Sequence, residues 1–298
     1  MEHNSLSQDT ELRLIQMLVP HLTHQNFVDV GAEKGVFASI MLELGLAGIL
    51  FEPMPKHLTV LQKLVDGYQG NAKLYTCAIT AVDGTQQFHV ATDASGQELD
   101  YYHSLQKAEA PGVFSHSKAF EVECRSLQSL VMEEKLPAAI GVLKTDTEGN
   151  DLNVLRGLGT LRPELVICEY FMEGMYSGWN EGFPQQIIEY MHTLGYQNFL
   201  ITKRVGALEF LELNTRAYHE KQWGNLLFFR EDFFLKAKEA IAVFLLENEK
   251  KIVNKIQELD KTCAERLDVI NLLDAEVKRL CGTKEKKRKV GWCTYHNH

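Results

Sequence analysis

Four short apolar runs in this chain stop on an acid or a glycine: NFVDVG at 26–31, AGILFEP at 47–53, AIGVLKTD at 139–146 and ELVICEY at 164–170. Helix-spaced segments lie between and around them. Runs this short and this apolar suit strands buried on both faces, which requires helices on both sides of a mostly parallel sheet. In such sheets the C-terminal strand ends face the ligand crevice. The residues that close the runs are therefore candidates for chemistry as well as for turns.

The intervening segments agree. Residues 10–20 read as an entry helix, GVFASIMLELG as a helix stopping near Gly45, residues 55–65 as a third, and NDLNVLRGL as a fourth. AKLYTCAI supplies another strand. FPQQIIEYMHTLGY is amphipathic and ends on glycine, as a helix should. After Ile79 the pattern changes: GTQQFHVA is an antiparallel excursion, residues 93–118 a polar loop, and FEVECRSLQSLV an edge-like strand and short helix. NFLITK, LEFLEL and NLLFF are late strands suited to an antiparallel edge. The expected fold is α/β, a doubly wound, Rossmann-like, mostly parallel sheet with an antiparallel edge over residues 1–230, followed by a long C-terminal helix.

That helix is expected over 231–282. Leu245, Ile252, Leu259, Leu273 and Leu280 recur on sevens with Arg266 in the one gap, and Ile256, Cys263, Ile270 and Val277 form a second series offset by four. The 3-4 spacing predicts a coiled-coil seam and a homo-oligomer; a helix lying on its own domain is the plainer alternative. Residues 283–298, including TKEKKRKV, read as a basic flexible tail.

Composition removes several classes. A net charge of -9 and a pI near 5.7 offer no global field for a phosphate backbone, and no zinc-finger, helix-turn-helix or RNA-recognition pattern occurs, so no nucleic acid is expected. Six scattered cysteines without a CxxC pair argue against a disulfide scaffold or a structural zinc site. The N-terminus lacks a basic region before an apolar run, and no stretch of about 20 apolar residues occurs. A cytoplasmic protein with no transmembrane segment is the expectation.

The first constellation is FVDVGAEKG. Asp29, Gly31 and Gly35 stand where a strand turns into a helix, and glycines there allow a tight turn and close backbone approach to a ligand. The third glycine of the dinucleotide fingerprint and the Walker lysine are both missing. Glu52, closing the next strand about 20 residues on, suits the hydroxyls of an adenosine ribose. NAD and S-adenosyl-L-methionine both carry one. Glu33 would crowd a pyrophosphate with negative charge, which favours the sulfonium cofactor.

FVDVGAEKGVFA, LFEPMP, CAI at 77–79 with the following DGTQQFHV, LKTDTEGNDLNVLRGL and PELVICEY come in an order that resembles the FkbM-type S-adenosylmethionine-dependent methyltransferases. The resemblance covers roughly residues 26–170 and weakens towards NLLFF. It implies a methyltransferase in which Asp29, Gly31, Ala32, Glu33 and Gly35 form the first cofactor loop, Glu52 holds the ribose and Ala78 lies by the adenine. Glu33 departs from the asparagine usual in that family. The implied acceptor is a hydroxyl of a sugar, glycan or small natural product; an amine acceptor, or a silent scaffold acting through the C-terminal helix, are the alternatives.

Asp146 and Glu169 end successive strands and are the expected catalytic acids, either as base and hydrogen-bond acceptor or as ligands of a divalent cation such as Mg. Glu148 is expected in the first turn of the next helix, where a carboxylate meets the helix dipole. Lys144, pointing opposite to Asp146's neighbours by strand alternation, is expected to be structural or peripheral. His103 and His116 in the 93–118 loop are candidate bases, with His103 the chosen one. That loop is expected to be a substrate lid, and Tyr176 and Trp179 a stacking wall.

Overall fold

The computed structural model describes residues 10–205, 208–216 and 223–288. Of the tail expected at 283–298, residues 283–288 continue the last helix instead, and residues 289–298 lie outside the described residues. Its elements in chain order are α1 (Thr10–Leu18), β1 (Asn26–Val30), α2 (Val36–Glu43), β2 (Ala47–Phe51), α3 (Pro55–Gly67), β3 (Ala72–Tyr75), β4 (Ala78–Ile79), β5 (Gly84–Thr92), β6 (Glu109–Ala110), β7 (Phe114–Arg125), α4 (Leu127–Met132), β8 (Val142–Thr145), α5 (Asp151–Arg156), β9 (Leu165–Phe171), α6 (Pro184–Thr193), β10 (Asn198–Val205), β11 (Leu208–Leu213), β12 (Trp223–Phe229) and α7 (Glu231–Arg288).

An eight-stranded sheet runs β11-β10-β12-β9-β8-β1-β2-β3. β3, β2, β1, β8 and β9 are mutually parallel, and β12, β10 and β11 extend the β9 edge antiparallel. This is the doubly wound sheet with an antiparallel edge that the apolar runs predict. Strand period two divides each run between two cores. Phe27, Val142, Leu165 and Leu227 face α1, α2, α3 and the start of α7 through Leu14, Met41, Leu61 and Phe233. Their neighbours Val28, Leu143, Val166 and Phe228 face α4, α5 and α6 through Leu130, Leu155 and Ile188. A one-residue slip in any strand would exchange its two sets, so burial on both faces holds the register.

The stretch after β3 departs from expectation. AKLYTCAI does not continue as one strand: it breaks after Tyr75, and Ala78–Ile79 joins a second sheet of order β4-β7-β5, with β6 on β7. β7 is twelve residues long and pairs with β5 across a bulge at Val90/Ala91. Residues 109–110 and 114–118, expected in the loop, are strand.

α7 begins with Phe233, Ala237, Ile241 and Phe244 buried in the first core. The chain divides into two compact units, one ending at Asn248 and the other beginning at Glu249. In the second, Ile256, Leu259, Ile270 and Leu273 are exposed. Among the described residues no helix is long and apolar enough to cross a membrane.

Candidate functional site

Strand order reverses direction between β1 and β8, and a cavity of ≈ 450 Å³ opens there. Its wall is formed by the C-terminal ends of β1, β2, β8 and β9 and the residues after them, with Glu169 inside β9, and by Ala78, Ile79 and Phe88 from the second sheet. Gly31, Glu33, Glu52, Ala78, His103, Asp146 and Glu169 all line it. Asp29, Ala32 and Gly35 do not.

At one end the β1 turn and Glu52 form a cradle. Gly31 and Ala32 both donate to the Phe51 carbonyl, at 3.0 and 3.2 Å, which stitches the turn to β2. Gly31 has φ +76°, and a Cβ placed on it would lie 1.9 Å from the Asp146 carbonyl oxygen. Only glycine allows that approach. Glu52 is 5% exposed. Its Oε2 accepts the Glu33 N–H and its Oε1 the Met54 N–H, each at 2.8 Å. Both carboxylate oxygens are thereby aimed and still have acceptor capacity.

At the other end three carboxylates converge. One oxygen each of Asp146, Glu148 and Glu169 lie within 4.8 Å of one another. Glu148 is not in a helix turn as expected: α5 starts only at Asp151, and Glu148 sits in the left-handed region at φ +54°. That backbone excursion turns its side chain into the cavity, where Oε1 accepts the Tyr102 N–H at 3.2 Å. Burial and then the Asp146 charge raise its pKa above the usual carboxylate range. The same two causes, with Glu148 third, raise Glu169 well above the usual carboxylate range. Glu148 Oε2 and Glu169 Oε2 are buried without a hydrogen-bond partner.

Lys144 is not peripheral as expected. Residues two apart share a strand face, and Lys144 Nζ lies 3.1 Å from Asp146 Oδ2 and 3.5 Å from Asp29 Oδ1. Burial opposes the ammonium charge, but Asp146 and Asp29 outweigh it and raise its pKa. Asp29 is wholly buried, and the loss of water lifts its pKa to about 6 against the pull of Lys144. Asp29 thus acts under the cavity, through Lys144.

Asp151, not singled out by the sequence, organises the turn after β8. Its Oδ1 accepts from Thr145 Oγ1 at 2.7 Å and from the Thr147 N–H at 3.1 Å, and its Oδ2 from the Gly149 N–H at 3.3 Å. Asn150 Nδ2 donates to the Ile79 carbonyl at 3.0 Å and ties the turn to the second sheet. Gly149 accommodates Trp179 rather than a ligand: a Cβ there would meet the indole at 2.7 Å. An acid-rich turn following a strand was the one signal available for this cluster.

The segment between β5 and β7 closes over the cavity. Lys34 pairs with Asp100 at 2.7 Å, and Lys56 with Glu98 and Asp100, both at 3.3 Å. Ser104 Oγ donates to the Thr147 carbonyl at 3.1 Å. Tyr102 stacks on Phe114 at 4.7 Å between ring centres, and Tyr176 packs against Tyr102, Phe171 and Trp179. Tyr102, Phe171 and Tyr176 line the cavity; Trp179 supports them from behind.

The histidines of this segment are held otherwise than bases would be. His103 Nδ1 accepts the Ala91 N–H at 3.0 Å, which commits the ring proton to Nε2 and removes the basic lone pair. Burial, with the Lys56 charge second, lowers its pKa to about 4. Its ring lies 6.3 Å from that of His57, beside Glu52. His116 accepts the Ala108 N–H on Nδ1 at 2.9 Å, and its Nε2 lies 2.6 Å from the Tyr102 carbonyl, so both nitrogens serve the loop.

The methyltransferase FkbM domain model matches residues 29–197. No curated protein sequence gives a significant match. Among solved structures, an O-methyltransferase from Bacillus cereus in complex with SAH is 11% identical, with 76% of this chain and 84% of that one covered and a TM-score of 0.41. An rRNA methylase from Streptococcus thermophilus is 10% identical, with 76% and 98% covered and a TM-score of 0.38. The C-terminal domain of precorrin-6Y C5,15-methyltransferase from Rhodobacter capsulatus is 11% identical, with 76% and 91% covered and a TM-score of 0.37. At those scores the likenesses bear on nothing further.

Proposed function

The chain belongs to the FkbM methyltransferase family and is an S-adenosylmethionine-dependent methyltransferase, and on that premise we propose that it methylates a hydroxyl of a sugar, glycan or small natural product. The observation that carries this reading is the convergence of Asp146, Glu148 and Glu169 in the same cavity as the Gly31–Glu52 cradle. The cradle suits the cofactor. Glu52 is buried, aimed by two backbone N–H groups and free to accept ribose hydroxyls, and a side chain at Gly31 would fill the approach to Asp146. Gly31, Glu33, Glu52 and Ala78 would hold the cofactor, with Ala32 and Gly35 shaping the turn and Asp29 acting through Lys144.

When bound, the cofactor supplies an electrophilic methyl group on a sulfonium. The protein must align an acceptor oxygen with that methyl and take up its proton. Burial raises the proton affinity of both Glu148 and Glu169, so an ionised member of the pair would take up that proton while a protonated one would hold the acceptor oxygen as a hydrogen-bond donor. Lys144 pairs with Asp146 and fixes it beside them. Tyr102, Phe171 and Tyr176 offer flat apolar surface for a ring-shaped acceptor. His103, with its lone pair taken, donates rather than accepts.

A second reading rests on the two orphaned oxygens, Glu148 Oε2 and Glu169 Oε2, within the three-carboxylate cluster. Oxygen ligands of this kind suit a hard divalent cation such as Mg²⁺. Held by Asp146, Glu148 and Glu169, it would lower the pKa of an acceptor hydroxyl. Calorimetric titration with S-adenosylhomocysteine, with and without Mg²⁺, tests both readings. Absence of binding in either condition overturns the cofactor assignment, and a titration with Mg²⁺ alone that yields no heat overturns the metal.

For the long helix we propose pairing with a second copy of this chain. Its heptad series combines β-branched Ile256 and Ile270 at one core position with Leu259 and Leu273 at the other, a combination that favours two parallel strands. Those side chains are exposed in the single chain, Ile270 by 59%. Lys255 and Asp260, of opposite charge, occupy the flanking positions that face each other in such a pair.

A further inference from the structure

His57 is buried with nothing to bond. It lies in the first turn of α3, is 4% exposed and lines the cavity, yet neither Nδ1 nor Nε2 has a hydrogen-bond partner. Buried polar groups are rarely left unsatisfied, because desolvation is then uncompensated. Glu52 Oε1 stands 3.8 Å from His57 Nδ1. That gap is too long for a hydrogen bond and Glu52 Oε1 already accepts the Met54 N–H at 2.8 Å. Packing does not account for a histidine here either, since its neighbour on the same helix face, Leu61, is an ordinary core residue.

We propose that His57 is a cofactor-positioning residue that hydrogen-bonds the ribose hydroxyls of S-adenosylmethionine. Each ribose hydroxyl is both donor and acceptor. Glu52 can only accept, so it uses their hydrogens and leaves their lone pairs unserved. An imidazole beside it offers an N–H, which a carboxylate lacks, and so can serve those lone pairs. His57 is reached from the same cavity as Glu52 and stands at the same end of it. The assignment rests on the cofactor reading above and adds to it a residue outside the glycine turn and the strand-end acid.

The test is isothermal titration of the full chain with S-adenosylhomocysteine and with its 2′,3′-dideoxyribose analogue, for the wild type, His57→Phe and His57→Asn. Phenylalanine keeps the ring volume and removes both nitrogens; asparagine returns a donor and an acceptor. We expect His57→Phe to weaken S-adenosylhomocysteine about 10-fold, the worth of one good hydrogen bond, and to leave the dideoxy analogue within about twofold of wild type. His57→Asn should recover part of the loss. An equal penalty for both ligands, or none for either, overturns the role of His57. Failure of the wild type to bind S-adenosylhomocysteine at all overturns the cofactor reading instead, so the two are separable. A purely structural histidine would change both affinities together.

Discussion

Gly31→Ala probes a turn packed directly against the main chain of another. The backbone there has φ +76°, where an L side chain costs about 1–2 kcal/mol. The new Cβ would also lie 1.9 Å from the Asp146 carbonyl oxygen, which is main chain and cannot rotate away. Relief requires the β1 and β8 turns to separate, an overpacking cost of about 1–3 kcal/mol. The sum, about 2–5 kcal/mol, corresponds to a fall in Tm of roughly 4–20 °C for a unit of this size. Gly45→Ala is the control: φ is +88° but no atom lies within 4 Å of its Cβ, so it should incur only the conformational part. Thermal unfolding of the two variants therefore separates strain from collision. Separation of the turns also shifts the Glu52 cradle relative to Asp146, and S-adenosylhomocysteine affinity should fall for Gly31→Ala and hold for Gly45→Ala. Equal Tm values for the two variants would refute the collision.

Glu169→Gln should abolish Mg²⁺ heat and lower turnover by about 10²-fold or more with a polyhydroxylated acceptor, while S-adenosylhomocysteine affinity stays within about twofold; a parallel loss of cofactor affinity would contradict the division of the cavity. His103 has a folded-state pKa of about 4, below the ordinary histidine value, so the unfolded chain binds more protons between those limits and stability falls as pH drops through that window. Asp29 and Asp151, raised to about 6 by burial, act in the opposite sense, so urea midpoints of wild type and His103→Gln compared at pH 7.5 and 4.5 isolate the histidine: the variant should lose less on acidification. Cys263 is exposed and occupies a core position of the heptads; mild oxidation should link two chains through it if the helices pair parallel and in register, and light scattering of full-length chain and of chain cut after Asn248 should then differ. Equal oligomeric states would rule out the pairing.

Much of this was legible along the chain because its causes are local. Strand period two, helical spacing and the residues closing each run depend only on near neighbours, and they yielded the doubly wound sheet, its antiparallel edge and the long helix. The glycine turn and Glu52 were legible for the same reason: both sit at the ends of strands whose direction a parallel sheet dictates. Lys144 reads as peripheral along the chain although the same periodicity places it beside Asp146, since residues two apart share a face.

Other features required the folded chain. Glu148 enters the cavity because one residue adopts a left-handed backbone, which spacing does not report. Asp151 and His116 are recognised only through the N–H groups they accept, and those come from a turn and a loop whose courses are set by packing. The second sheet exists because β7 pairs with β5 and with Ala78–Ile79, contacts made between residues more than 20 positions apart. The sequence by itself therefore determined the family, the layers and the strand-end acids, through interactions between near neighbours. Only tertiary structure decided that Asp146, Glu148 and Glu169 share a site, that the His103 Nδ1 lone pair is taken by the Ala91 N–H, and that His57 stands unbonded beside Glu52, because those facts depend on where distant segments meet.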